Sequence, residues 1–211
     1  MKKTHITVII LIILSFLFAA FIYPQMPDQM ASHWNTKGEV NGYMGKFFGV
    51  FLMPIIAVGI YLLMLVIPKI DPLKKNIKRF EGHFDTFILI LEIYLIYIYA
   101  LTLLWNLGYS INIGQFMAPA LGILFYFAGV MMQNSKQNYF IGIRTPWTLS
   151  SKVVWDKTHK IGAKLFKISG ALACFGILFP DYAVLLVLVP VIGSTLYTLV
   201  YSYVEFKRTH E

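Results

Sequence analysis

Six stretches of close to twenty apolar residues constrain this chain more than any other feature. They run approximately over 6–23, 47–67, 86–105, 116–132, 161–179 and 182–201. A helix needs roughly 20 mostly apolar residues to cross ~30 Å of hydrocarbon, so each run is long enough to span a bilayer. Of the 211 residues, 58% are hydrophobic and 13% charged, more apolar surface than one water-soluble core of this size can bury. The alternating segments of a membrane β-barrel are absent. The expected fold is therefore all-α: one polytopic membrane domain of six transmembrane helices. Residues 1–67 hold the first two spans and an outer loop, 68–132 spans three and four, and 133–211 an inner loop with spans five and six.

The first run follows Lys2 and Lys3 and could be mistaken for a signal peptide. Its length exceeds the usual apolar region of one, and Phe18-Ala19-Ala20-Phe21 is a poor cleavage site, so an uncleaved anchor is expected. Basic residues set the orientation, because Lys and Arg resist translocation. Lys2 and Lys3, five basic residues within 69–79, seven within 136–167, and Lys207 with Arg208 fall on one side; Lys37 and Lys46 fall on the other. Both termini are thus expected in the cytoplasm of a multi-pass protein of the bacterial plasma membrane. The net charge of +8 reads as a topological signal reinforced by anionic lipid, with no direct nucleic-acid partner implied.

Two polar segments are long enough to carry a specific function. The outer one, YPQMPDQMASHWNTKGEVNGYMGKF from Tyr23, centres on His33 and Trp34, with Asn35 and Gly38 following. It reads either as a docking surface with Trp34 as aromatic anchor, or as a cap whose Trp34 and Tyr43 rest at the headgroup level. The inner one contains IGIRTPWTLS, 141–150. Pro146 disfavours helical angles at Thr145, and Ser150 or Ser151 is placed to cap a helix on which Trp155 and His159, four apart, share a face. Arg144, Thr145, Pro146, Trp147, Thr148, Trp155 and His159 are the candidate contact residues of this segment. An interfacial elbow held by tryptophan and lysine explains its composition but not its order.

Glu92 is the carboxylate set well inside a span, and Lys167 lies at similar depth in the fifth run, so the two are expected to pair; the rival reading lets Lys167 reach the interface while Glu92 meets a hydroxyl or water. No nucleophile with a base, facing aspartates or HExxH pair occurs within a span, so no catalytic residues are assigned and an enzyme is not expected. A lone Cys174 and isolated histidines give no metal site, and no cofactor is called for.

Three segments also carry a resemblance: MPDQMASHWNTKGEVNGYMGKF, PKIDPLKKN, and QNYFIGIRTPWTLSSKVVWDKTHKIGAKLF. Through them the chain is similar, over essentially its whole length, to the SdpI family of bacterial immunity and signalling membrane proteins, with a DUF1648-like segment near its start. The resemblance implies protection of the host from a secreted, membrane-active peptide toxin (SdpC-like) that dissipates the proton gradient. It further implies retention at the membrane of a soluble ArsR-type autorepressor (SdpR-like). Mapped onto the topology above, the toxin would be sensed on the outer face, by His33, Trp34, Asn35 and Gly38, or within the bundle, and the Arg144 to His159 group would dock the repressor or fix the helix ends. Two other classes stay open: a small-solute or lipid transporter using Glu92, and a structural envelope protein with no dedicated ligand.

Overall fold

A computed structural model describes residues 2–210, the side chain of His210 excepted. Six long helices lie where the six apolar runs do: α1 (Lys3–Ile22), α2 (Lys46–Ile70), α4 (Glu81–Asn106), α5 (Ile113–Asn134), α7 (Lys152–Cys174) and α8 (Ala183–His210). Short helices α3 (Lys74–Lys78) and α6 (Pro146–Ser150) stand in the connections. Of the six long helices, all but α7 are apolar enough to cross a membrane, which makes five such helices among the described residues. At 1.5 Å per residue, the 20 residues of α1 already reach ~30 Å. The protein is a mostly helical, multi-pass membrane protein.

The expected fifth span differs. Five lysines and Asp156 occupy α7, its apolar face is confined to one side, and the helix ends at Cys174 rather than at 179. That side packs closely on α5. A Cβ on Gly170 would sit 2.4 Å from the Gly122 carbonyl oxygen, and one on Gly129 would sit 2.8 Å from that of Ala163. Small residues seven apart on each helix thus let the two backbones touch, the usual device where lipid supplies no hydrophobic drive for helix association.

A second correction concerns the all-α expectation. Residues Gln29–Trp34 (β1) and Val40–Gly45 (β2) form an antiparallel hairpin, with Met30 opposite Met44 and Trp34 opposite Val40. The Asn35 side-chain oxygen closes its turn by accepting from the amides of Lys37 at 2.9 Å and Glu39 at 3.0 Å. Gly38 takes φ +80°, a conformation that favours glycine.

Helices α1, α2 and α4 pack together, as do α5, α7 and α8, and α4 on α5 joins the two groups. Hydrogen bonds define the two ends of the bundle. At one end Lys2 reaches Asp85, Asp71 holds the Tyr139 amide at 2.8 Å, and Thr145 bonds Ser202 of α8 at 3.0 Å, so both termini lie on that face. At the other end the hairpin caps α4: the Asn106 side chain accepts from the Ala31 amide at 2.8 Å and donates to its carbonyl at 3.0 Å. Beneath it Ala19, Ile22, Met26, Met30, Val50, Tyr99 and Leu103 form a buried cluster.

Candidate functional site

The hairpin roofs a cavity of about 360 Å³, within the range of small-ligand pockets. Its walls come from Phe48 and Leu52 of α2, Ile98 and Thr102 of α4, Met117 of α5 and Val184 of α8, so both helix groups contribute. His33, Trp34 and Asn35 line it from the hairpin, whereas Gly38 shapes the turn beyond it. Trp34 meets Trp105 edge to face at 5.6 Å, and its indole nitrogen is buried without a hydrogen-bond partner among the described residues. His33 is exposed and its Nδ1 is bonded to the Asn41 side chain. Asn35 is largely consumed by its own turn and by the Glu39 carboxylate at 2.8 Å. The pocket is thus a mostly apolar chamber with the Trp34 side chain in its wall. Thr102, Met117 and Val184 carry no sequence signal, since an apolar residue facing a cavity looks like one facing lipid.

The inner segment is built differently. Thr145, with φ −94° and ψ 161°, caps α6 reciprocally with Thr148, and Ser151 caps α7. Gly142 has φ +103°, and a Cβ there would lie 2.3 Å from His159 Nε2. The Ile143 amide donates to that nitrogen at 3.0 Å, while Nδ1 lies 2.9 Å from the Trp155 carbonyl. Since Nε2 accepts, the proton sits on Nδ1, which donates to Trp155. The His159 ring stacks on the Trp155 indole at 3.9 Å. Burial pushes its pKa down to about 4, the Trp155 carbonyl opposing only in part. Asn138, fully buried, accepts from the Ile141 amide at 2.6 Å and donates to the Ile141 carbonyl at 3.0 Å.

The order of IGIRTPWTLS therefore has a structural explanation: a glycine under an imidazole, a capped turn, and a buried amide behind them. Thr145, Thr148, Trp155 and His159 are buried, and Trp155, at 0% exposed, cannot be a contact anchor for a partner. What faces outward is Arg144 and Pro146, with Trp147 half-buried against Tyr203 at 5.0 Å.

Glu92 and Lys167 do not pair. Lys167 donates to Gln133 of α5. Glu92, on α4, is fully buried, and neither of its oxygens has a hydrogen-bond partner among the described residues. The two belong to different helix groups, which equal depth along the chain could not reveal. Among the described residues no three His, Cys, Asp or Glu side chains gather to hold a metal ion.

These features define a polytopic helical membrane protein with a ligand-sized chamber at one face and a rigid, hydrogen-bonded elbow at the other. Residues 134–202 match the SdpI/YfhL protein family, and residues 10–58 match DUF1648, a domain of unknown function. The last third of the chain thus carries an SdpI/YfhL-family segment, and a DUF1648 domain lies near its start. It is 29% identical over 210 residues to the immunity protein SdpI of Bacillus subtilis (strain 168), covering 99% of this chain and 98% of that one. No solved structure matches.

Proposed function

We propose that this protein is an immunity protein of the bacterial plasma membrane, and that it protects its host by holding part of a secreted, membrane-active peptide in the chamber beneath the hairpin. The full-length similarity to an immunity protein carries the proposal. The chamber supports it: an apolar peptide segment is suited to a preformed cavity with mostly apolar walls and few polar groups. The positive-inside distribution supports an outward orientation for this face, where a secreted peptide would arrive. Binding there lowers the free concentration of peptide able to insert and dissipate the proton gradient.

The proposal extends to signalling. Exposed Arg144 and Pro146, with half-buried Trp147 beside them, form a stiff surface on the face expected in the cytoplasm, and a soluble ArsR-type repressor is the partner to expect. Arginine pairs well with carboxylates and tryptophan is a strong interface anchor.

The test is expression in toxin-sensitive cells, followed by survival and membrane potential under peptide challenge. The wild-type chain is expected to preserve both. Gly114 lines the chamber, so Gly114→Leu should fill it and abolish protection without loss of membrane insertion. Failure of the wild-type chain to protect against any related peptide ends the immunity reading. A second reading, transport of a small solute or lipid through Glu92, is favoured by that residue's unpartnered burial. It requires a solute flux that Glu92→Gln abolishes and Trp147→Ala leaves intact.

A further inference from the structure

Neither the chamber nor the elbow uses Glu92. It belongs to a stripe on α4 in which polar residues recur every seventh position: Asp85, Glu92, Tyr99 and Asn106. Seven residues are close to two helical turns, so all four share the face that packs on α1 and α2. The two ends of the stripe are occupied. Asn106 holds the hairpin, and Asp85 is bonded by Lys2 at 2.7 Å, with His5 Nε2 at 3.5 Å. Glu92 lies between them, fully enclosed and without a partner for either oxygen among the described residues.

An ionised carboxylate in such a place is costly by several kcal/mol unless a cation or a set of donors compensates. The groups facing it can be enumerated. α1 and the residue capping it contribute His5 and Lys2, both engaged with Asp85; α2 contributes Tyr61; α4 itself contributes Asp85 and Tyr99. On α5 the titratable side chain is Tyr126, which is exposed. None is a free cation, and Lys167 is bound elsewhere. Protonation removes the charge and with it most of the cost.

We propose that Glu92 is a proton-binding site within the membrane, occupied as the neutral acid and exchanging its proton through the face that carries both termini. Polar groups line up on that side: Tyr61 Oη lies 3.2 Å from His5 Nδ1, and His5 Nε2 lies 3.5 Å from the buried Asp85 carboxylate. Toward the hairpin the way is closed: the gap among Ser15, Pro54, Ala57, Leu95 and Tyr99 has no room for a water molecule. On binding, a hydronium at the terminal face gives up its proton to a Glu92 oxygen and becomes water, so one positive charge moves part-way into the membrane. With one side closed, the site stores a proton without passing it on.

This proposal is independent of the immunity reading and is tested without a toxin. Full-length protein in lipid vesicles is treated with N,N′-dicyclohexylcarbodiimide, an apolar reagent that adds a protonated carboxyl across its C=N bond. The resulting O-acylisourea rearranges to a stable N-acylurea, and the labelled peptide gains the mass of one reagent. Glu92 is expected to be labelled, and labelling should fall as pH is raised in the compartment facing the termini while ignoring the pH on the hairpin side. Glu92→Gln, which mimics the neutral acid, should stay folded and lose both the label and a carboxylic C=O infrared band. Absence of both label and band in the folded wild type overturns the proposal, as does labelling that follows the hairpin-side pH.

Discussion

Gly142→Ala is the sharpest perturbation of the elbow, because two separable costs meet at one atom. At φ +103° an alanine is strained by roughly 1–2 kcal/mol. Its Cβ would also lie 2.3 Å from His159 Nε2, against an ordinary contact of about 3.4–4 Å, so the imidazole must shift by roughly 1 Å. That shift breaks the bond from the Ile143 amide and orphans a half-buried donor, a further loss of about 1–3 kcal/mol. The expected total is about 2–5 kcal/mol, read by denaturant titration in detergent micelles with the buried Trp155 as fluorescent reporter. In a His159→Ala background the clash and the bond are both already gone. There Gly142→Ala should cost about 1–2 kcal/mol, the backbone strain alone. An equal cost in both backgrounds, or a total below about 1 kcal/mol, refutes the claim that glycine is required by the imidazole above it.

Three further outcomes follow from the same geometry. His159 titrates at about 4 when folded and about 6.5 when unfolded, so its contribution is level above pH 6.5; as pH falls the unfolded chain takes up a proton the folded one refuses, and stability drops by about 3 kcal/mol in all between those values. His159→Gln should flatten that part of the stability profile. Gly170→Val drives a side chain toward the Gly122 carbonyl oxygen and should cost about 3 kcal/mol in the same titration, because a backbone cannot step aside as a side chain can. Trp155→Ala should cost about 3–5 kcal/mol, while Trp147→Ala changes stability far less and weakens retention of a co-expressed repressor in pull-downs.

The helices were legible because hydrocarbon thickness imposes one length on every span, and a single chain can satisfy it only with long uncharged runs. The caps were legible for a similarly local reason: Pro146 restricts Thr145, and a serine ahead of Lys152 starts α7. The hairpin was not. QMASHW and VNGYMG have no clean alternation, and what fixes them is a tertiary clamp, Asn106 on Ala31, 75 residues apart. Direction was also hidden at the site. Trp155 and His159 were read correctly as sharing a face, but spacing alone could not say that this face points inward under Gly142. Glu92 and Lys167 failed to meet for the same reason, since depth is written in the sequence and azimuth only partly so.

Burial of the elbow bears on how a signal could cross the bilayer. A ligand in the chamber can favour capture of a partner at the opposite face only if some element touching both ends has two arrangements. The elbow is a poor candidate for the moving part, because Asn138, Thr148 and His159 tie it down through buried and part-buried hydrogen bonds that any second arrangement must re-form. Helix α4 is better placed. It grips the hairpin through Asn106 and lines the chamber through Ile98 and Thr102. At the other end it meets Lys2 and His5 through Asp85. A rotation of α4 driven from the chamber would carry Glu92 with it and alter the enclosure that keeps that carboxyl neutral. Ligand binding and proton occupancy would then be linked, and by reciprocity a ligand that perturbs Glu92 must itself bind with a pH dependence that Glu92→Gln removes.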